Sequence, residues 1–310
     1  MNNMISVIIP AYNEQESLAV LIPQLIAQFQ NEGEYEIIVI NDGSSDQTAE
    51  VVLGFHKKNP SIHLISLSRN FGAQAALCAG YQKARGACVI SLDADMQHPV
   101  SVIPDMLEKW RQGYDVVYAV RQKSTHLSLF KRTSARLFYC FFKWLTGMKT
   151  DMGADFRLMS RKAVDALNQF SEASPFLRGV VARLGFRQCP LYYNEQKRKY
   201  GGASRYTLKK MLNLAVTGMV GFSLKPLHFI TFLGILMTIG GGITFLMVLG
   251  LYFLGDIAIT GVNIMLSILT LFSGIQMLVL GILGEYIGNI SVTVRKRPLY
   301  LISENTLEKD

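Results

Sequence analysis

Two long stretches of this chain carry no charge at all. From Phe229 to Leu254 every residue is apolar or small, and a second uncharged stretch runs from Ile257 to Gly284 after the lone Asp256. Each exceeds the roughly 20 residues a helix needs to cross a hydrocarbon core. Only a few residues separate them, so together they read as a tight transmembrane hairpin. A buried hairpin in a water-soluble core is the alternative, and two adjacent runs of this length disfavour it. The runs also account for a chain of 310 residues that is 50% hydrophobic, with a mean hydropathy of +0.24.

The flanks orient the hairpin. Lys209, Lys210 and Lys225 precede the first run, and Arg295, Lys296 and Arg297 follow the second. Positive charge inside places both termini in the cytoplasm and the short loop outside. The expected division is a cytoplasmic catalytic domain with juxtamembrane helices over 1–225, a hairpin over 226–290 and a cytoplasmic tail over 291–310. No cleavable signal is expected ahead of Met4, because the chain opens at once with a strand-like Ile-Ser-Val-Ile-Ile. Cys78, Cys88, Cys140 and Cys189 show no metal spacing and read as reduced thiols. The net charge of +8 suits anionic lipid and phosphorylated substrates. Nucleic acid is the rival use of that charge, and no basic helix interleaved with aromatics supports it in the soluble part.

The first two-thirds alternate between two periodicities. Ile5–Ile9, Ile37–Ile40, His63–Leu67, Val89–Leu92 and Val116–Ala119 are apolar runs of strand length. Between them lie helical stretches over Glu14–Gln30, Gln47–Lys57, Ala73–Ala84 and Val100–Gln112. Such alternation implies a parallel sheet with helices on both faces, and ligands bind outside the carboxyl ends of such strands. Polar segments follow each strand: Pro10-Ala11-Tyr12-Asn13-Glu14, Asn41 to Asp46, Ser68 to Gly72, Asp93 to Gln97, and Arg121. One such segment is ordinary turn chemistry; five on the same edge describe a cleft. There is no Gly-x-Gly-x-x-Gly and no Walker Gly-Lys-Ser, against a dinucleotide enzyme or an NTPase.

Asp93 and Asp95 sit one residue apart at a strand end, where hard oxygen ligands can hold a divalent metal against a diphosphate. Their alternative reading is as solvated turn residues. Gln97 adds a possible ligand. Oxygen donors with no His or Cys expected nearby favour Mg²⁺ or Mn²⁺ over zinc.

The ordered set of motifs resembles glycosyltransferase family 2, of the Rossmann-like GT-A fold. It comprises Pro-Ala-Tyr-Asn-Glu, Asn-Asp-Gly-Ser-Ser-Asp, Asp-Ala-Asp and Gly153-Ala154-Asp155-Phe156-Arg157-Leu158. Tyr200-Gly201-Gly202-Ala203-Ser204-Arg205-Tyr206 and Gly284-Glu285-Tyr286-Ile287-Gly288 complete it, with Arg297-Pro298 behind. Within the family the chain is similar to the polyprenyl-phosphate glycosyltransferases that load bactoprenol with one sugar. Dolichol-phosphate mannose synthases are more distant relatives. The resemblance covers nearly the whole chain.

That resemblance implies an α/β GT-A domain with interfacial helices, and an inverting transfer from a nucleotide sugar to polyprenyl (undecaprenyl) phosphate at the cytoplasmic membrane. Pro10, Tyr12, Glu14 and Asp42 would border the base and ribose, with Asn70 to Gly72 completing the pocket. Glu14 can also serve as an acidic charge at a helix start, and Asp46 reads as the N-cap of the next helix. Asp93 would lie near ribose and metal, and Asp95 would bind the metal. Asp155 matches a position thought to act as base; it is expected as base or as sugar-orienting residue. A phosphate monoester has a second pKa near ~6 and is a competent nucleophile without a base. Arg121, Lys131, Arg132 and Arg136 would meet the lipid phosphate, the last three on a basic and aromatic stretch, Leu127–Leu145, that reads as lying in the membrane interface. Arg198, Ser204 and Arg205, in a basic glycine-containing segment, would contact the donor diphosphate.

A processive polysaccharide synthase is the nearest rival, but no Gln-x-x-Arg-Trp segment surrounds Trp110 or Trp144. A non-catalytic scaffold is disfavoured by Asp93, Asp95 and Asp155, and a flippase by the few polar groups of the hairpin. The hairpin glycines permit close helix packing, and the resemblance suggests a homotetramer. Glucose from UDP-glucose is the expected donor, with N-acetylglucosamine, mannose and amino sugars open.

Overall fold

The structure is a computed structural model. It describes residues 4–30, 32–121, 155–170, 177–193, 243, 261–294 and 298–307; for Arg121 and many residues of 261–294 this is the backbone alone. The chain divides into two units. One is Met1–Arg136, Met148–Tyr206 and Arg297–Asp310; the other is Leu137–Gly147 and Thr207–Lys296.

In the first unit the strands are β1 (Ile5–Ala11), β2 (Tyr35–Asn41), β3 (Ile62–Leu67), β4 (Cys88–Ser91), β5 (Val116–Arg121), β6 (Arg157–Ser160), β7 (Gln188–Tyr193) and β8 (Ile302–Asn305). They form one sheet in the order β7-β5-β6-β4-β1-β2-β3-β8. The helices are α1 (Gln15–Phe29), α2 (Thr48–His56), α3 (Ala73–Lys83), α4 (Ile103–Arg111), α5 (Arg161–Asn168) and α6 (Leu177–Arg183). A 3₁₀ turn over Val100–Val102 leads into α4.

Every residue of β1 is buried, because a strand covered on both faces buries its even and odd side chains alike. α1 explains part of that cover. Leu18, Leu21, Ile22, Leu25 and Phe29 recur at helical spacing along its buried side. The sheet core continues through Ile37, Val39, Ile62, Leu64 and Ile90.

The sheet is mixed, which corrects the all-parallel expectation. β1 to β4 run parallel, but β6 is antiparallel to both β4 and β5, and β8 is antiparallel to β3. The foreseen strands are present, whereas β6, β7 and β8 were not foreseen. β8 comes from the segment read as a tail. It occupies the outer edge of β3, where Thr306 Oγ1 accepts from the Leu64 N–H at 2.9 Å.

At the strand starts, Glu36 is buried. Its carboxylate accepts from the Ser6 hydroxyl at 2.5 Å, the Arg85 N–H at 2.7 Å and Arg85 Nε at 3.1 Å. These bonds replace the water that a buried carboxylate loses.

In the second unit, α7 (Gly261–Val294) is a single helix of 34 residues. At 1.5 Å per residue its length is about 50 Å. Met265, Leu269, Leu280, Ile287, Ile290 and Val294 are exposed on it. Among the described residues no helix is long and apolar enough to cross a membrane. Half of the side chains of α7 lie outside those residues, as does nearly all of 229–254, the first expected span.

Candidate active site

Three strand-end loops are bonded into one rim. After β1, the Asn13 N–H donates to Ser44 Oγ at 2.9 Å, and Asn13 Oδ1 accepts from the Ser45 N–H at 2.8 Å. After β2, Asn41 Oδ1 accepts from the Ser44 N–H at 2.9 Å. Asn13 adopts φ 54°, a left-handed backbone its short amide tolerates. Asp42 then ties this pair to the loop after β3. Its two oxygens accept from the Phe71 and Gly72 N–H groups at 2.7 and 2.9 Å. Burial pushes the Asp42 pKa up, against the lowering effect of those N–H groups and of Arg69.

Gly43 makes this closeness possible. At φ +67° a Cβ there would lie 2.5 Å from the Arg69 carbonyl carbon. Gln47, not Asp46, is the N-cap of α2, which starts at Thr48; Asp46 stands one residue before it, its carboxylate accepting from the Thr48 N–H at 3.1 Å. Glu14 accepts from the Ser17 hydroxyl at 2.7 Å, within the first turn of α1. Tyr12 is 37% exposed beside it, while Pro10 is a buried member of β1. Arg69 lies 4.2 Å over the Phe71 ring, beside Asn70.

The segment after β4 keeps the strand alternation. Leu92, Ala94, Met96 and His98 are buried, whereas Asp93, Asp95 and Gln97 are half-buried. Met96 has φ 59°, a costly backbone for an unbranched side chain without a polar atom to offset it. The Gln97 N–H donates to Asp95 Oδ1 at 3.1 Å. Asp93 Oδ2 lies 3.1 Å from His98 Nε2, and His98 Nδ1 lies 2.8 Å from the Tyr193 hydroxyl. The expectation that no His stands near this pair is therefore corrected. His98 is packed 5.0 Å from the Phe156 ring and its side chain is fully buried.

Asp155 is a further buried carboxylate. β4 and β6 pair Ser91 with Arg157, and the Ser91 hydroxyl donates to the Asp155 carbonyl just before β6. Arg157 Nη2 donates to Asp155 Oδ1 at 2.9 Å, and Arg178 donates Nε to Oδ1 at 3.2 Å and Nη2 to Oδ2 at 2.9 Å. Gln74 Nε2 adds a bond at 3.4 Å. Burial would raise this carboxyl, but Arg178 and Arg157 outweigh it and hold it below the ordinary carboxylate range.

Gln74, His98, Arg157, Arg178 and Tyr193 were not foreseen as site residues. Alternation past the end of β4 was the available signal for His98; nothing local marks Arg178 or Tyr193. Arg121 ends β5, with only its backbone described. Lys131, Arg132, Arg136, Arg198, Ser204 and Arg205, with the stretch Leu127–Leu145, lie outside the described residues.

The Glycosyl transferase family 2 model matches residues 6–167. The chain belongs to glycosyltransferase family 2. It is 39% identical over 302 residues to an uncharacterized glycosyltransferase, YkcC, of Bacillus subtilis (strain 168), covering 97% of this chain and 93% of that one. It is 34% identical over 310 residues to the bactoprenol glucosyl transferase of Shigella phage SfII, covering 97% and 98%. Among solved structures, mannosyl-3-phosphoglycerate synthase from Rubrobacter xylanophilus is 16% identical with a TM-score of 0.49, covering 72% of this chain and 74% of that one.

In this family 2 glycosyltransferase the residues present fit a hard divalent cation. Asp93 and Asp95 offer only oxygen, and each has one oxygen bonded to a protein N–H, to His98 and Gln97. Among the described residues no group of three or more His, Cys, Asp and Glu could hold a metal. Carboxylate oxygens of this kind would suit Mg²⁺ or Mn²⁺, which take water and substrate phosphates at their other positions.

Proposed function

We propose that the chain transfers one sugar, glucose from UDP-glucose, to polyprenyl phosphate, inverting the anomeric carbon. The observation that carries this reading is the collinear 34% identity to the bactoprenol glucosyl transferase, over 97% of the chain. A donor site built on Asp93 and Asp95 agrees with it. The rim of Tyr12, Glu14, Asp42, Asn70 and Gly72 receives the nucleoside, with Pro10 beneath. Asp93, Asp95 and Gln97 hold the metal, which when bound neutralises charge on the departing diphosphate. Arg198, Ser204 and Arg205 contact that diphosphate, and Arg121, Lys131, Arg132 and Arg136 meet the lipid phosphate.

The acceptor calls for a membrane. We place the enzyme in the cytoplasmic membrane, with the hairpin 226–290 spanning it, the tail 291–310 and both termini on the cytoplasmic side, and the chain as a homotetramer. The uncharged runs Phe229 to Leu254 and Ile257 to Gly284, with basic residues on both outer flanks, support this placement.

The test is transfer in detergent from a panel of radiolabelled UDP- and GDP-sugars to undecaprenyl phosphate, with Mg²⁺ or with EDTA. A metal-dependent lipid-linked monosaccharide from UDP-glucose is expected. Product from another donor alone would revise the sugar. Absence of any lipid-linked product would overturn the reading.

A further inference from the structure

The C-terminal strand enters the sheet from its ligand side. β8 runs antiparallel to β3, with Ile302 across from Leu67 and Asn305 across from Ile65. Residues 298–301 therefore lie beyond the carboxyl end of β3, the end from which the loop Ser68 to Gly72 leaves. The register shifts by one residue between Ser66 and Leu67, and the Ser303 hydroxyl at the shift donates to the Ser66 carbonyl at 3.0 Å. Such an irregularity re-aims a strand at a sheet edge.

The incoming chain grips that loop on both flanks. On the strand side, the Ser68 N–H donates to the Leu301 carbonyl at 2.9 Å. On the helix side, the Tyr300 hydroxyl donates to Gln82 Oε1 of α3, the helix whose N-cap is Gly72. Burial pushes the Tyr300 phenol up to about 12, so it stays a donor. Between these ties, the Phe71 and Gly72 N–H groups donate to Asp42 at 2.7 and 2.9 Å. Asp42 follows β2, which neighbours β3 on the side away from β8. A strand-end loop held on one side alone opens locally at low free energy. Here Asp42 holds it from the β2 side, and Tyr300 and Leu301 hold it from the β8 side.

We propose that Tyr300 and Leu301 are positioning residues for the donor nucleotide. By holding the outer side of the loop they keep the Phe71 and Gly72 N–H groups on Asp42, and so keep the rim shaped for the nucleoside. This rests on the reading of that rim as the nucleoside site. Neither residue is required to touch the nucleotide. The segment read from the sequence as a tail thereby acts on donor binding.

The test uses the full chain in detergent with Mg²⁺. UDP and GDP binding is measured by calorimetry, and hydrogen–deuterium exchange is read on the same samples. Tyr300→Phe removes one hydrogen bond, worth about 2- to 10-fold in an equilibrium constant. It should weaken nucleotide binding by that factor, raise the donor KM alike and leave the KM for undecaprenyl phosphate unchanged. Exchange in the peptide 68–73 should quicken while β1 and β6 stay as they were. Gln82→Ala, on an exposed side chain, should do the same. The double variant should match the worse single within about twofold, because the two residues share one bond.

Thr306→Val is the control. Thr306 Oγ1 accepts from the Leu64 N–H at 2.9 Å, just past the far end of β8. Its loss should lower the melting point without altering nucleotide affinity. Unchanged affinity and loop exchange in both Tyr300→Phe and Gln82→Ala overturn the proposal. An equal loss of affinity in Thr306→Val overturns it too, since the effect would then be one of general stability. A wild type that binds neither UDP nor GDP removes the nucleoside reading and this inference with it; a wild type that binds either one separates the two.

Discussion

His98 Nε2 donates to Asp93 Oδ2 across 3.1 Å and so holds one oxygen of the carboxylate proposed to bind the metal. A carboxylate only accepts, so Nε2 carries a proton, and Nδ1 lies 2.8 Å from the Tyr193 hydroxyl. Outer partners of metal ligands typically change affinity 10- to 100-fold. His98→Ala should raise the Mg²⁺ or Mn²⁺ concentration for half-maximal activity by about that factor, and Tyr193→Phe by less. Metal titration of the transfer rate measures it. An unchanged metal requirement would show that Asp93 needs no such support.

Gly43 joins two loops of the strand-end rim. Gly43→Ala would set a Cβ 2.5 Å from backbone of Arg69 at φ +67°, and backbone cannot swing aside as a side-chain tip does. The strain alone costs about 1–3 kcal/mol, and the Asp42 bonds to Phe71 and Gly72 would shift. Thermal melting should drop and UDP binding should weaken, both read on the same sample. Normal melting and binding would mean that the loops tolerate separation.

The β3 edge is covered by the C-terminal strand. Deleting residues 298–310 removes the pairing of β8 with Ile65, Ser66 and Leu67, and the Ser68 N–H bond to the Leu301 carbonyl at 2.9 Å. Each ladder bond contributes about 0.5–1.5 kcal/mol, and an open edge invites association. The truncated chain should melt lower and aggregate with rising concentration, seen by light scattering. An unchanged melting point would show the strand to be dispensable.

Acid should expose the Asp155 cluster. Burial opposes its charge but Arg178 and Arg157 prevail, so its folded pKa lies below the unfolded value of about 3.9. The stability it contributes is therefore present above about pH 4 and lost as pH falls through the folded pKa. The melting gap between wild type and Asp155→Asn should be widest near neutrality and narrow below pH ~4. A gap that widens in acid would reverse the sign.

Thiols report on packing. Burial pushes Cys78 and Cys88 to about 12. Neither should react with a disulfide reagent at pH ~7 in the native state, since the thiolate is the reactive form. Rapid labelling of Cys88 without denaturant would contradict its place in the core.

The readable parts of the sequence were those with local period. β1 to β5 and α1 to α4 stand within a few residues of the runs that predicted them, because each buries a continuous or helically spaced apolar face. β6 has only four residues, β7 carries Pro190 and a half-exposed pattern at the sheet edge, and β8 is short and polar. None has a period long enough to read. The mixed sheet followed from β6 and β8, the antiparallel ones, so it was hidden with them.

By itself the sequence determined the family, the polar strand ends and the pair Asp93 and Asp95, since a carboxylate at the end of an apolar run must leave the sheet on its ligand side. Tertiary structure decided what those carboxylates touch. Tyr193 lies far along the chain from His98, and Arg178 and Gln74 reach Asp155 from α6 and α3. A hydrogen bond between distant residues leaves no periodic trace, because its partners meet only when the sheet pairs β4 with β6 and the helices pack against it. Whether Asp155 takes a proton or orients the substrate depends on those partners, and so is written only in the fold.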